Sequence, residues 1–391
     1  MTHSTHLQAH RVTSLILLSG LVVRVGVAVW NAYFGPSFGA ELDALQFHEF
    51  AVDASAGLDD ERAFSTGWIY PSLLGLIYCL TIPSLFVGGL LSCFAWLLSG
   101  IALIKICRIV AIDQRATVIV LALYAFLPSS FLTTAVTLRE AYQMLFVNLA
   151  LLSGLHLLRR FRLRYVLLFI SSAYAAAWLH AALAAFGLMA AIIFLVVKMI
   201  HQRLRFGVLF VAIGSVIVAF TSVVMVSGYD PSFSLSELVT LFRAGTPDDA
   251  RTNYPAPMVF SSNWDLIINL PRILLQYLFE PMPWRISGLA DVYLFVENIG
   301  RLLLIVVAVR QTVLARPYRA ELLALTGCYF AIEAIWAVGT VNWGTASRHH
   351  LPILGCLLVI GFVRNDRTKL PREANDVRTM EPSNGRSASS T

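Results

Sequence analysis

Charged residues are scarce in this sequence: Asp, Glu, Lys and Arg make up 13% of its 391 residues, whereas 58% are hydrophobic. A soluble domain carries about 25% charged residues. The shortage therefore argues against a water-soluble globular fold. The net charge of +6 is divided among short segments. It is weak evidence for nucleic-acid binding, which needs a concentrated basic surface.

Cysteine motifs and targeting signals are missing as well. The five cysteines lie in apolar runs and none has C-x-x-C spacing, so neither a disulfide framework nor a zinc site is indicated. The first apolar run, residues 12–34, is too long for the hydrophobic region of a signal peptide and has no A-x-A-like site after it. We expect it to be the first membrane span.

Apolar runs of about 20 residues, the length that crosses a bilayer, recur along the chain. They are continuous rather than alternating, which favours helices over barrel strands. The sequence therefore predicts an all-α polytopic membrane bundle of about ten transmembrane helices. The predicted spans are residues 12–34, 86–108, 115–133, 138–158, 164–180, 181–200, 206–227, 291–309, 320–339 and 350–364.

Short basic connectors between these runs indicate the orientation, because Lys and Arg remain in the cytoplasm. They place both termini inside and two loops outside, at about 35–66 and 228–289. Residues 1–364 are expected to form one membrane domain, and the polar tail 365–391 a disordered cytoplasmic segment. The apolar stretch 67–86 cannot be a span without placing Lys105 and Arg108 outside. We expect a re-entrant or interfacial helix pair there, broken at Pro71 and Pro83.

The first outer loop supplies the candidate catalytic residues. Asp43 follows the first span closely, and a carboxylate at the membrane surface can accept a proton from a sugar hydroxyl. Glu41 and His48 are its neighbours in the same segment. Pro128 is expected to kink the third span near its outer end. Beyond it, Arg139 and Glu140 open the fourth span, where they can pair with other segments or bind an anion.

Two later segments supply further candidates for substrate binding. In LPRILLQYLFEPMPWRISGLAD, the prolines interrupt a helix that we expect to lie flat at the interface with Trp284 as its anchor, and Arg272 and Arg285 lie within it. In VGTVNWGTASRHHLPILG, Arg348 offers a bidentate fork suited to phosphate. His349 and His350 can add donors or shuttle a proton. They are adjacent rather than four residues apart, so they do not resemble a metal pair.

The interiors of the predicted spans also contain charged residues, namely Arg24, Glu297, Arg301 and Glu333. Such residues are candidates for function because a charge in lipid is unfavourable. Glu297 and Arg301 are four residues apart and are expected to pair along one helix face. Arg24 has no local partner, and we expect it to face the interior of the bundle.

Taken in order, these motifs resemble the multi-spanning glycosyltransferases of the GT-C superfamily across most of residues 10–365. The resemblance is carried by Asp43 within DALQFHEFA, by GWIYPSLLGLIY, by Leu138–Glu140 after a proline-containing span, by Pro281–Trp284 and by Gly344–His349. Many members have an acidic doublet in the first loop, whereas the acids here are separated. The family uses divalent metal variably, and the sequence shows no metal-binding spacing.

The resemblance implies sugar transfer from, or onto, a polyprenyl-phosphate carrier at the outer face of a bacterial cytoplasmic (inner) membrane. The expected process is exopolysaccharide or lipopolysaccharide assembly, with other assembly proteins as further partners. Arg348, helped by Arg139 and Arg285, would hold the phosphate and stabilise the leaving-group charge. Asp43 would take the proton of the acceptor hydroxyl.

Two other functions remain open from the sequence. A polymerase or ligase would join oligosaccharides linked to polyprenyl diphosphate, and the loop 228–289 is long enough to handle two carriers. A lipid-carrier transporter or flippase would show repeats with broken helices in both halves. The sequence indicates only one broken region, near Pro71, and no repeat.

Overall fold

The computed structural model describes residues 3–35, 41–58, 67–201, 234–243, 251–255, 259–314 and 318–363. Within these ranges the chain is helical and contains no strand, with one isolated β-bridge between Asn253 and Asn342. The predicted span 206–227 and the tail 365–391 lie outside the described residues.

The described residues form fifteen α-helices. They are α1 (His3–Tyr33), α2 (Glu41–Ser55), α3 (Ile69–Leu80), α4 (Leu85–Ile109), α5 (Gln114–Phe126), α6 (Pro128–Thr133), α7 (Glu140–Arg159), α8 (Leu163–Leu179), α9 (Ala181–His201), α10 (Leu235–Arg243), α11 (Asn263–Phe279), α12 (Leu289–Leu314), α13 (Arg319–Gly339), α14 (Trp343–His349) and α15 (Leu351–Phe362). A short 3-10 turn, Pro283–Arg285, precedes α12.

Six of these helices are long and apolar enough to cross a membrane: α1 from Arg11, α4, α7, α9, α12 and α13. The prediction of an all-helical membrane protein is thereby confirmed. Three predicted spans correspond to shorter helices. Residues 115–133 overlap α5, which has 13 residues, residues 164–180 correspond to α8 with 17, and residues 350–364 to α15 with 12. The shortening of the first of these has a clear cause in Pro128.

Pro128 divides the predicted third span into α5 and α6, as its expected kink suggested. The break exposes backbone groups that two charged side chains satisfy. Arg24 donates to Ala125 O at 2.8 Å, and Ser129 N donates to Glu297 Oε1 at 3.0 Å. Arg24 is fully buried, as expected for a residue facing the bundle. Its guanidinium also donates to Ser130 Oγ and Thr134 Oγ1 and lies 3.6 Å from the centre of the Trp96 ring.

The expected pair between Glu297 and Arg301 does not form in the described chain. Glu297 instead binds Ser129 N, which the broken helix leaves available. Arg301 donates to Asn298 Oδ1 at 2.5 Å. A tertiary contact has therefore replaced the local pair.

The stretch 67–86 contains one helix, α3, and the beginning of α4. Pro71 lies in the first turn of α3 and does not break it, because the amide that proline lacks has no intrahelical partner there. The predicted break at Pro71 is thus wrong, whereas Pro83 does lie between the two helices. α3 packs tightly on α2: a Cβ on Gly75 would lie 2.8 Å from the Ala54 Cβ.

The last helix, α15, lies at the centre of the bundle. Every residue from Leu351 to Gly361 is buried, and the helix contacts α5, α7, α12 and α13. Because lipid tails are as apolar as these side chains, close packing rather than removal from water stabilises such contacts within a membrane.

Basic side chains cap the C-terminal ends of five helices, where carbonyl groups lack intrahelical partners. Each cap comes from another part of the chain, and its positive charge suits the negative end of the helix dipole. The pairs are Arg159 with Ile109 O of α4, Arg24 with Ala125 O of α5, Lys198 with Leu157 O of α7, Arg139 with Leu179 O of α8, and Arg243 with Val338 O of α13.

Candidate functional site at one end of the bundle

The helices alternate in direction, so that connections distant in sequence meet at one end of the bundle. The beginnings of α2, α7 and α9 meet the end of α13 and the whole of α14 at this end. Ion pairs and ring contacts join these segments directly. The basic connectors after α4 and α7 lie at the opposite end, where Lys198 near the end of α9 also lies.

Arg348 of α14 lies between two carboxylates from other elements. Its Nη1 atom is 2.5 Å from Asp43 Oδ2 of α2 and 3.9 Å from Glu140 Oε1 of α7. Burial favours a lower pKa for Arg348, but the carboxylates of Glu140 and Asp43 outweigh it and raise the pKa above its ordinary value. Arg348 is therefore a fixed positive charge. Its side chain is 15% exposed, whereas that of Asp43 is 44% exposed.

Arg139 holds the surrounding segments together beside this cluster. Its Nη1 atom donates to Gly67 O at 3.2 Å and to Leu179 O at 3.1 Å. Gly67 has a φ of +84°, a left-handed conformation that glycine adopts readily. Burial lowers the pKa of Arg139; the charge of Arg348 lowers it further, whereas the carboxylates of Glu140 and Asp43 raise it. The four residues Asp43, Arg139, Glu140 and Arg348 form what we call the arginine–carboxylate cluster.

His349 follows Arg348 and packs on α13. Its ring stacks on Trp336 with centroids 3.8 Å apart, and its Nδ1 atom is 2.7 Å from Thr340 Oγ1. His180 lies at the other edge of the ring, with centroids 5.9 Å apart. Burial, together with the charges of His180, Arg348, Arg139 and His350, lowers the pKa of His349 well below its ordinary value. The imidazole is therefore neutral at physiological pH.

His350 points away from this cluster. Its Nδ1 atom is 2.7 Å from Glu333 Oε2, its ring lies 4.4 Å from that of Tyr277, and it is 2% exposed. Successive helical residues point about 100° apart. That angle sends His349 toward the bundle end and His350 into the interior. The structure thus separates two histidines that the sequence predicted as substrate-binding neighbours.

Arg285 and Arg272 lie apart from the arginine–carboxylate cluster. Arg285 is 3.1 Å from Glu280 Oε1 and 4.5 Å from the centre of the Trp343 ring, at the beginning of α14. Arg272 is exposed and donates to Pro255 O. Trp284 is 79% exposed, which suits the expected interfacial anchor.

The other predicted catalytic residues do not join the cluster in the described structure. His48 Nδ1 lies 2.9 Å from Tyr78 Oη, and burial lowers the pKa of His48. His48 lies five positions after Asp43 along α2, so the two side chains point about 140° apart. Glu41 begins α2, and its side chain lies outside the described part of the chain.

Two residues that the sequence analysis missed, Trp336 and Thr340, position His349. With Glu333, which binds His350, they have i, i+3 and i+7 relations along one face of α13 and its C-cap. The spacing can be seen in the sequence, but the sequence does not show that α14 packs against this face of α13. Among the described residues, no three His, Cys, Asp or Glu side chains are grouped so as to hold a metal ion.

The chain matches no protein-family model, and no curated protein matches it significantly. The case for a function therefore depends on the geometry of the site together with the short motifs.

Proposed function

We propose that this chain is an integral membrane glycosyltransferase that uses a polyprenyl-phosphate-linked sugar at the outer face of the bacterial cytoplasmic membrane, in surface-polysaccharide assembly. The arginine–carboxylate cluster is the observation that supports this function. It combines a phosphate-binding guanidinium with carboxylates, at a bundle end where a lipid-borne headgroup would lie.

The proposed orientation follows from the distribution of basic residues. Lys105 and Arg108, near the end of α4, and Arg162, in the connector before α8, lie at the end opposite to the cluster. Because positively charged connectors remain in the cytoplasm, the cluster would face outward, with both termini inside.

Arg348 is suited to exchange one anion for another. In the ligand-free chain it pairs with Asp43, whose side chain is nearly half exposed, at 44%. A phosphate group also offers a pair of acceptor oxygens that can bind the guanidinium fork in bidentate fashion. We therefore expect the phosphate of the carrier to replace Asp43 on Arg348, with Arg139 adding positive charge nearby.

The transfer step would then run as follows. The acceptor oxygen forms a bond to the anomeric carbon of the sugar, and the bond from that carbon to the phosphate oxygen breaks. The electron pair remains on the phosphate, where Arg348 stabilises the developing charge. The hydroxyl proton needs an acceptor within reach. The site offers two, Asp43 after its release from Arg348, and His349.

One observation favours the polymerase or ligase alternative. Arg251 and Arg285 lie 5.7 and 4.5 Å from the centre of the Trp343 ring, at the other end of α14 from Arg348. Arg251 is 2.7 Å from Asp291 and its side chain is 55% exposed. A second arginine pair of this kind would suit a reaction in which two lipid carriers meet.

Deleting the gene and measuring lipid-linked saccharides by mass spectrometry tests these functions. Accumulation of intermediates one sugar short would support the single-sugar transferase. Accumulation of complete repeat units on the outer face would support the polymerase or ligase, and on the cytoplasmic face a flippase. A pool identical to wild type would contradict all three.

Complementation of the deletion strain connects this phenotype to the cluster. We expect Arg348→Lys to restore little product at normal protein level, because lysine lacks the bidentate fork. The matched control, Arg310→Lys, changes an exposed arginine near the C-terminal end of α12 and should restore the wild-type pool. Full restoration by Arg348→Lys would show that the function does not depend on the guanidinium fork of Arg348.

A further inference from the structure

The hydroxyl of Thr340 determines which nitrogen of His349 carries the proton. Thr340 Oγ1 lies 2.7 Å from Trp336 O and 2.7 Å from His349 Nδ1. The carbonyl oxygen can only accept, so the single hydroxyl hydrogen is donated to Trp336 O. His349 Nδ1 must therefore donate to Thr340, and Nε2 of the neutral ring carries the lone pair.

The ring of His349 is fixed in this orientation and remains accessible. Stacking on Trp336, which is 2% exposed, holds its plane, while His349 itself keeps part of its surface exposed. Two cations face it, Arg139 before α7 and Arg348 on its own segment, together with the histidines His180, between α8 and α9, and His350. Together with burial they keep Nε2 unprotonated.

The two histidines near His349, namely His180 and His350, have other hydrogen-bond partners. His180 Nδ1 accepts from Ala182 N at 3.2 Å, so the proton of neutral His180 is on Nε2, which can only donate. His350 is buried and bound to Glu333. Of these three histidines in the described chain, His349 is the one that presents a lone pair from a partly exposed ring.

Asp43 is less available as a base. Its Oδ2 atom is 2.5 Å from Arg348, so the carboxylate can act as a base only after phosphate has displaced it, whereas Nε2 of His349 needs no such release. On the proposed function, we infer that Nε2 of His349, and not Asp43, takes the proton from the acceptor hydroxyl. The acceptor O–H bond breaks as the bond to the sugar forms, Nε2 gains the proton, and the phosphate leaves with the electron pair. The proton then passes from Nε2 to water.

Donor binding would make His349 a stronger base. The charges of Arg348 and Arg139 are among the causes that lower its pKa, and a bound phosphate would neutralise them. The pKa of His349 should therefore rise when the donor is present. Proton transfer would be favoured only in the loaded site.

Nitrogen NMR of histidine-labelled protein in lipid nanodiscs tests the protonation state without requiring activity. We expect His349 to be the Nδ1–H tautomer at neutral pH, and its pKa to rise on addition of a polyprenyl monophosphate as probe. Thr340→Val should weaken the preference for that tautomer, and Arg348→Lys should reduce the rise. An Nε2–H tautomer, or an unchanged pKa with bound probe, would overturn the inference.

Transfer measured in membranes of the deletion strain tests the catalytic role. His349→Gln should slow transfer by about a hundredfold or more, the usual contribution of a general base, with unchanged binding of the polyprenyl monophosphate. Imidazole should partly rescue His349→Ala, which a merely structural role would not allow. His156→Gln, at the other end of α7, is the matched control.

Asp43→Asn distinguishes the two proton acceptors. It should slow transfer much less than His349→Gln does if His349 is the base. Loss of transfer in Asp43→Asn together with a near-normal His349→Gln would assign the role to Asp43 and overturn the inference. Absence of transfer in the wild-type protein would instead contradict the proposed function, and the NMR result on His349 would stand separately.

Discussion

Arg24 and Glu297 lie on opposite sides of one helix break, and each satisfies a backbone group that the break exposes. Arg24 binds Ala125 O at the C-terminal end of α5, and Glu297 accepts from Ser129 N at the beginning of α6. The sign of each charge matches the helix dipole at its own end. Two side chains that are unfavourable in lipid thereby stabilise a discontinuous helix in the bundle.

Replacing Arg24 with leucine should destabilise the protein strongly. The change removes hydrogen bonds to Ala125 O, Ser130 Oγ and Thr134 Oγ1. The two hydroxyls keep their bonds to Tyr124 O and Ser130 O, whereas Ala125 O loses its side-chain donor at the end of α5. A hydrogen bond to a charged group contributes about 1.5–3 kcal/mol, so we expect a loss on the order of 3 kcal/mol. Thermal unfolding in detergent measures it. Arg310→Leu, which removes an exposed arginine, should change the midpoint little, and equal effects would contradict this role for Arg24.

Asp43→Asn should strengthen binding of a polyprenyl monophosphate. Asp43 competes with phosphate for Arg348, and removing its charge removes the competitor. Because a half-exposed ion pair contributes about 0.2–1 kcal/mol, we expect the Kd to fall by a factor of roughly 1.4 to 5. Titration calorimetry in nanodiscs measures the change, and Asp265→Asn on α11 serves as the control. Weaker binding in Asp43→Asn would show that the carboxylate helps to form the phosphate site.

Acid should destabilise the protein through His349. Folding lowers the pKa of His349, so below about pH 6.5 the unfolded chain binds this proton more readily than the folded chain. The free energy of unfolding then falls as the pH drops from about 6.5 toward the folded-state pKa. Melting temperatures measured across this range should fall less in His349→Gln than in wild type. His201→Gln should retain the wild-type loss, since His201 is exposed at the end of α9.

Gly67→Ala should weaken the site through the backbone. Gly67 has a φ of +84°, and a Cβ there would lie 3.1 Å from Arg139 Nη1. A left-handed conformation costs a residue with a side chain about 1–2 kcal/mol, so the melting temperature should fall. Gly26→Ala is the matched control: nothing described lies within 4 Å of its Cβ position. In the interior of a helix it should stabilise the protein by about 0.5–1 kcal/mol.

Several parts of the site could be predicted because they depend on short stretches of sequence. The parity of the spans placed Asp43, Arg139, Glu140 and Arg348 at the same end, and the structure brings these four together. Proline chemistry likewise predicted the break at Pro128. Both inferences used only chain direction and local backbone constraints.

The remaining errors and omissions depend on contacts distant in sequence. Glu297 was expected to pair with Arg301 four residues away, but it binds Ser129 instead, 168 residues away. Likewise, only the packing of α13 against α14 shows that Thr340 sets the tautomer of His349. Neither partner carries a motif, so only the assembled bundle identifies it.

The capping of helix ends by distant basic residues constrains how the bundle can assemble during synthesis. The last carbonyls of α4 and α7 receive their caps from Arg159 and Lys198, which emerge from the ribosome later than the helices that they complete. α4 therefore enters the membrane with the carbonyl group of Ile109 uncapped, and it gains this hydrogen bond only after α7 has been synthesised. Truncating the chain before Arg159 would leave a fragment whose earlier helices lack part of their final hydrogen bonding.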